Sequence, residues 1–279
     1  MKKIFDDISI KASRITTRMY STSFSMGIRF FSKELRDPVY AIYGFVRFGD
    51  EIVDTFHEYD KHKLFEKFRQ DTHDAIHDKI SLNPILNSFQ HCVNQFSIPM
   101  ELIDSFLNSM EMDLSKKDYS TEGYHSYIYG SAEVVGLMCL KVFCNGEEAL
   151  YERLKENAIK LGAAYQKVNF LRDLNADFYY LGRSYFPDVN IENFSLQDKL
   201  KIEKEIESDF QSGLEGIKRL PNSSKLGVYL SYVYFYSLFS KIKKSHPESL
   251  FKSRIRISNA AKFLYTFRSL LRLKTLGLE

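Results

Sequence analysis

Residues 160–177 read KLGAAYQKVNFLRDLNAD, and residues 39–56 read VYAIYGFVRFGDEIVDTF. Neither stretch holds a proline, and both repeat apolar residues at the three-to-four spacing of an α-helix rather than the alternation of a strand. In the first, Gln166, Asn169, Asp173 and Asp177 are spaced 3, 4 and 4. In the second, Tyr43, Arg47, Asp50 and Asp54 are spaced 4, 3 and 4. On a helix each set makes one polar stripe along an otherwise apolar cylinder. Carboxylates four residues apart lie about 6 Å apart along the axis and can share a divalent cation. Mg2+ prefers such oxygen ligands and bridges them to substrate phosphates. Charges on apolar helices are costly unless they are paired or used. Two readings therefore stand: buried ion-pair networks, or two acidic faces meeting across a cavity. In the second, cations lie between the faces, with Arg47 and Arg172 placed to bind phosphate oxygens.

Spacing alone does not separate these readings from chance. With 17 Asp in 279 residues, about one such pair is expected at random, and the chain holds a third at Asp74/Asp78. That pair lies in QDTHDAIHDK, where nearly every residue is polar, so a solvated helix face is expected there. His73 and His77 share the same spacing, but no further metal ligand is evident beside them.

Working outward, helical periodicity covers most of the chain. Asp37-Pro38 is read as a helix start, with the helix running to about Phe56. A second long helix is expected from Glu147 to about Tyr180, stopped at Gly182. Further helices are expected near 8–20, 60–78, 84–95, 99–114, 121–144, 196–217, 225–244 and 248–275, with 181–195 as the longest irregular stretch. Strand alternation is scarce, and only 6 Pro and 13 Gly interrupt the pattern. The expected architecture is one all-α domain over residues 1–279.

A charge balance of 39 Lys and Arg against 36 Asp and Glu argues against a dedicated nucleic-acid binder. Cys92, Cys139 and Cys144 form no CxxC pair, which disfavours a disulfide framework or a structural zinc and suggests a reducing, cytoplasmic setting. MKKIFDDISIK has no apolar signal core. The run from Leu226 to Ser240 is taken as the longest apolar stretch and is too short to span a bilayer.

Four segments in order resemble the squalene/phytoene synthase family. STSFSMGIRFF is similar to its Ser-x-Ser-Phe segment through Ser21, Ser23 and Phe24. YAIYGFVRFGDEIVD resembles its first aspartate-rich motif through Tyr43, Arg47, Asp50 and Asp54. YHSYIYGSAEVVG resembles its Tyr-rich motif through Tyr127, Tyr129, Gly130, Ala132 and Gly136. LGAAYQKVNFLRDLNAD with GRSYFP resembles its second aspartate-rich motif and the trailing Arg-x-Tyr segment. The matches there are Gly162, Gln166, Asn169, Arg172, Asp173, Asp177, Arg183, Tyr185 and Pro187. The chain departs from the pattern at Glu133, where the family usually carries Gly, and at Asn175-Ala176.

The resemblance implies a class I isoprenoid synthase bundle around a central cavity. It implies head-to-head condensation of two prenyl diphosphates through a cyclopropyl diphosphate. The favoured substrate is geranylgeranyl diphosphate, giving phytoene, with farnesyl diphosphate and a dehydrosqualene or squalene product as the alternative. By resemblance, Asp50, Asp54, Asn169, Asp173 and Asp177 hold Mg2+, with Mn2+ as a substitute. Ser23, Phe24, Tyr43, Arg47, Gln166, Asn169 and Arg172 bind substrate, and Tyr129 steers the diphosphate or the final proton loss. NADPH is not expected. A scaffold of the same fold should lack the metal-binding aspartates, and all four are present. A cyclase or head-to-tail synthase is disfavoured by the Ser-x-Ser-Phe and Tyr-rich segments.

The tail, 241–279, holds ten Lys and Arg against Glu248 and Glu279. Phe263, Leu264, Phe267, Leu270 and Leu271 fall on one helical face, with Lys262, Arg268 and Arg272 elsewhere. A core-packing helix with a basic outer face is the first expectation; peripheral contact with the inner membrane surface is the second. The protein is expected to act as a monomer or weak dimer.

Overall fold

The computed structural model describes residues 1–115, 119–180, 182–187 and 189–272. Their helices are α1 (Lys2–Tyr20), α2 (Thr22–Ile28), α3 (Lys33–Asp54), α4 (Lys61–Asp78), α5 (Pro84–Phe96), α6 (Met100–Ser115), α7 (Thr121–Ile128), α8 (Val134–Cys144), α9 (Glu148–Tyr179), α10 (Leu196–Arg219), α11 (Asn222–Lys243), α12 (Pro247–Leu250) and α13 (Asn259–Arg272). A π-helical turn, Tyr129–Glu133, joins α7 to α8, and a 3-10 turn, Ile191–Asn193, precedes α10.

Local chemistry sets many of the ends. Asn83 accepts from the N–H groups of Ile85 and Leu86 while Pro84 fills the first turn of α5. Ser195 and Asp198 form a reciprocal capping box on α10. α9, α10, α8 and the π-turn pack on one another, and α3 is enclosed by α1, α5, α6 and α8. Beneath α3, Phe45 stacks on Phe89 with ring centres 3.9 Å apart and meets Phe106 at 5.1 Å. These rings fix the back of the helix that carries the first acidic stripe.

Four expectations are corrected. α3 begins at Lys33, not at Asp37. Pro38 sits inside it because its fixed φ is helical and only the early carbonyl of Glu34 loses a partner; Asp37 instead accepts from Arg14 Nε of α1 at 2.8 Å. The seven-residue α2 was not anticipated; Ser21 caps it by accepting from Phe24 N. The expected helix 248–275 is broken. Residues 251–258 are non-helical, and the alternation Arg254, Ile255, Arg256, Ile257 lays both isoleucines on the core. Finally, the apolar run that meets the length of a membrane span is Thr121–Cys144, not 226–240. Of its most apolar 18 residues 61% are buried, as in a core helix, and it contains the π-turn.

The tail's expected inward apolar face is also revised. Leu264 and Phe267 of α13 are exposed, while Thr266 and Ser269 are buried. Thr266 meets the Tyr234 hydroxyl of α11, so a hydrogen bond helps to orient this helix. The side chains of Phe263, Leu270, Leu271 and Arg272, and residues 273–279, lie outside the described ones.

Candidate active site

A cavity of about 270 Å³ runs between α2, α3, α8, α9, α10 and α11. Its longest wall is α9, which contributes Leu154, Asn157, Ala158, Leu161, Gly162, Tyr165, Gln166 and Asn169. That stripe covers 16 residues, about 22 Å of helix from first to last. The same face of α9 continues to Asp173 and Asp177, so one helix joins an apolar channel to an acidic end. Two close helix approaches shape this wall. A Cβ at Gly162 would lie 2.9 Å from the Ala132 carbonyl oxygen, and one at Gly130 only 2.3 Å from that of Ser105. The π-turn can thus sit directly against both α6 and α9. Such turns occur where a helix must re-aim side chains.

At the mouth, Phe24 of α2 stacks on Tyr43 of α3 with centres 5.0 Å apart, and both line the cavity. Gln166 donates to Ser131 Oγ of the π-turn at 3.2 Å and accepts from Asn169 at 3.4 Å. This leaves Asn169 Oδ1 buried without a partner.

The two acidic stripes are brought together, and arginines hold them. Arg47 pairs with Glu51 and lies 3.7 Å from Asp50. Its guanidinium covers the Tyr20 ring at 4.3 Å. Arg172 donates to both oxygens of its neighbour Asp173, at 3.0 and 3.1 Å. Arg254, from the extended segment before α13, reaches the same Asp173 at 2.6 Å. Arg183 joins the stripes: its backbone N–H bonds the Asp177 carbonyl, and its Nη1 lies 2.9 Å from Asp54 of α3.

Two parts of this centre escaped the sequence reading. Asp113 of α6 is buried, 3.6 Å from Arg183, and accepts from Tyr127 at 2.8 Å and Tyr119 at 3.2 Å. A signal was present: Asp113 continues the buried series Ile103, Phe106, Met110 at helical spacing, an acid where an apolar residue is due. Arg254 carried no such signal, because only the tertiary fold brings it to Asp173.

Tyr129 lies apart from the other named residues. It is 38% exposed and does not line the cavity. It follows His125 by one turn on the outer side of α7, whereas Tyr124 and Tyr127 face inward. The tyrosine hydroxyls directed at the acidic centre are those of Tyr127 and Tyr119, both on Asp113. Ser23 is half-buried on α2, and Ser21 caps that helix through Phe24 N.

Charge explains what this end lacks. Burial first, then the neighbouring Asp54, push the Asp50 carboxyl up to about 7. Burial and Asp173 push Asp177 up to about 7. Burial raises Asp113 to about 6 against the opposing pull of Arg183. Burial is the largest cause for all three, so ionising them together calls for compensating positive charge. Among the described residues, no three His, Cys, Asp or Glu side chains are grouped as a ready-made ligand set. Even so, the facing carboxylate pairs and the free Asn169 Oδ1 are the hard oxygen donors that Mg2+ selects. The residues therefore fit a divalent cation.

The other candidates behave differently. Asp74 and Asp78 are exposed; Asp74 accepts from Gln70 and Asp78 lies 2.8 Å from His77. His73 turns to Asp104 of α6 at 2.7 Å.

Comparison with known proteins follows the same lines. The model of the family described as squalene/phytoene synthase matches residues 17–261. Phytoene synthase 1, chloroplastic, of Solanum lycopersicum is 24% identical over 264 residues, covering 88% of this chain and 63% of that protein. The 4,4'-diapophytoene synthase of Staphylococcus haemolyticus is 27% identical over 194 residues, covering 68% and 66%. The chain thus matches just under two thirds of the length of these relatives. A dehydrosqualene synthase crystallised in complex with ligand superposes with TM-score 0.84 at 20% identity, covering 97% of this chain and 98% of that one. Squalene synthase HpnC from Alicyclobacillus acidocaldarius superposes with TM-score 0.74 at 20% identity, over 85% and 93%. These superpositions show the helical isoprenoid synthase fold.

Proposed function

Because this chain belongs to the squalene/phytoene synthase family, we propose that it joins two geranylgeranyl diphosphates head to head and releases phytoene by proton loss. The observation that carries this reading is the continuity of α9, an acidic diphosphate end running into a long apolar wall. The length of that wall favours the longer substrate. Sixteen main-chain carbons extend roughly 19 Å at carbon–carbon bonds of about 1.5 Å, while the twelve of farnesyl extend roughly 14 Å. The α9 stripe, about 22 Å by helical rise, accommodates the former.

Asp50 and Asp54 on one side, and Asn169, Asp173 and Asp177 on the other, would hold Mg2+ or Mn2+. When bound, the cations offset the charge that builds on the departing diphosphate. The chain's own residues do the rest. Arg47, Arg172 and Arg254, which hold carboxylates in the free protein, carry the guanidinium donors that would bind diphosphate oxygens. The first diphosphate then leaves an allylic cation, and the double bond of the second substrate attacks it. Loss of a proton from the newly joined carbon closes the cyclopropane ring; the cyclopropyl diphosphate then releases its own diphosphate, rearranges and loses a second proton. The apolar cavity keeps water from these cations. The Phe24 and Tyr43 faces stabilise passing charge by about 0.5–2 kcal/mol each. Tyr127, Tyr119 and Arg183 hold Asp113, and Arg183 ties it to Asp54, so the separation of the acidic pairs is fixed. No hydride donor is required.

Purified protein incubated with Mg2+ and radiolabelled geranylgeranyl diphosphate, without NADPH, tests the proposal. A forty-carbon hydrocarbon with a triene core is expected. A thirty-carbon product from farnesyl diphosphate alone would replace it with the second reading, which the names of the diapophytoene and dehydrosqualene synthases support. Silence with both substrates and intact binding of Mg2+ would favour a non-catalytic scaffold.

A further inference from the structure

α1 is built inside out. Its buried face is Ser9, Ser13 and Thr17, each 0% exposed. These small hydroxyl residues satisfy themselves while bringing the helix close to its neighbours. Ser9 and Thr17 donate to carbonyls one turn back, at 2.9 and 2.8 Å. Ser13 meets Ser88 of α5 at 2.5 Å. Against α3, a Cβ on Gly44 would lie 3.0 Å from Ser13 Oγ. The outward face is the apolar one: Ile4, Ile8, Ile15 and Met19 are 64, 51, 60 and 79% exposed. At 100° per residue these four fall within an arc of about 60°. Four large apolar residues on one arc of one helix form a patch, not scattered exposure.

Charge identifies what covers it. α1 holds five Lys and Arg against Asp6 and Asp7, and Lys2 occupies Asp6 at 2.9 Å. Exposed Lys11 and Arg18 border one edge of the apolar arc, with Lys3 further round the same side and Asp7 the one exposed acid between them. An apolar strip with a basic border matches an anionic lipid surface, whereas a second copy of the chain would bring the same positive edge against it. The corner is extended by α13, where Lys262 donates to Thr22 at 3.0 Å and Leu264 and Phe267 are exposed. The strip also ends at the acidic site, since Tyr20 lies under Arg47.

We infer that the outward face of α1 docks the protein on an anionic bilayer, through Ile4, Ile8, Ile15 and Met19 with Lys3, Lys11 and Arg18 at the headgroups. The inference stands on exposure and charge and is independent of the reaction proposed above. The test is sedimentation of the full chain with vesicles of equal parts phosphatidylcholine and phosphatidylglycerol, against pure phosphatidylcholine. Wild-type protein should pellet with the mixed vesicles, and I8S/I15S should lower its partition coefficient at least about tenfold, with unchanged circular dichroism. K11E/R18E should remove the preference for anionic vesicles. An I8S/I15S protein that pellets like wild type overturns the inference. So does a wild-type dimer in analytical ultracentrifugation that I8S/I15S makes monomeric while vesicle binding is unmoved, since the patch would then face a second copy. An inactive protein that still docks through α1 leaves the inference standing and removes only the proposed reaction.

Discussion

Asp74/Asp78 on α4 and Asp173/Asp177 on α9 have the same spacing and opposite surroundings. The α4 pair is exposed and takes its partners from its own helix, Gln70 and His77. The α9 pair is met by residues from distant parts of the chain: Arg254 reaches Asp173, and Arg183 links the backbone of Asp177 to Asp54. Water stabilises the first pair at no structural cost. The second must be balanced by arginine, by protons or by cations. A DxxxD spacing thus becomes a site only when its helix is buried and a second acidic helix faces it.

The largest effect expected from this contrast is on turnover. Asp173→Asn or Asp50→Asn should lower product formation by at least about a thousandfold, the scale of losing charge stabilisation at a leaving group. Asp74→Asn should stay within about twofold. Steady-state assays with circular dichroism decide, and near-normal turnover in either of the first two would sink the two-sided cation site.

Next in size is Asp113→Asn. It removes the negative charge facing Arg183 and one of the two carboxylate oxygens that accept from Tyr119 and Tyr127. A supporting partner of this kind is worth about 10–100-fold. As a positioning change, it should also alter the pH profile; a loss with an unaltered profile would mark Asp113 as purely structural.

A smaller effect separates the pairs by pH. Asp50 and Asp177 each hold a proton up to about 7. Cations must displace it, so Mg2+ affinity should rise with pH through 7 and fall by up to about tenfold per unit below it for each linked proton. Without cations the sign reverses. A carboxyl raised by folding stabilises the protein below its unfolded value, and that contribution is lost as pH rises through 7. Titration calorimetry, and melting in EDTA across this range, should show both trends. D50N/D177N should flatten them, and D74N/D78N should not.

The smallest expected change probes the channel rather than the acids. Ala158→Phe, about 16 Å along the α9 wall from Asn169, should shift products toward thirty carbons while leaving cation affinity within about twofold; unchanged product length would show that the chain does not lie along this wall.

Much of this was legible in the residues. Apolar spacing without breakers gave α9, α4, α5 and α6 nearly to their ends, because local hydrogen bonding and capping decide helices. The two polar stripes were visible for the same reason, as charges on apolar periodicity. The start of α3, the break at 251–258 and the outward turn of Tyr129 were not, since each depends on a contact made elsewhere: Arg14 on Asp37, two isoleucines on the core, Asp113 on Tyr127. α1 is the plainest case. Its sequence is amphipathic, and periodicity alone would bury Ile4, Ile8, Ile15 and Met19. The fold buries Ser9, Ser13 and Thr17 instead, because the gap beside Gly44 and Ser88 admits only small side chains. Sequence by itself determined the helices and the chemistry that each one carries. Tertiary structure decided which faces meet, since packing is a property of two surfaces and the sequence of a helix describes only one.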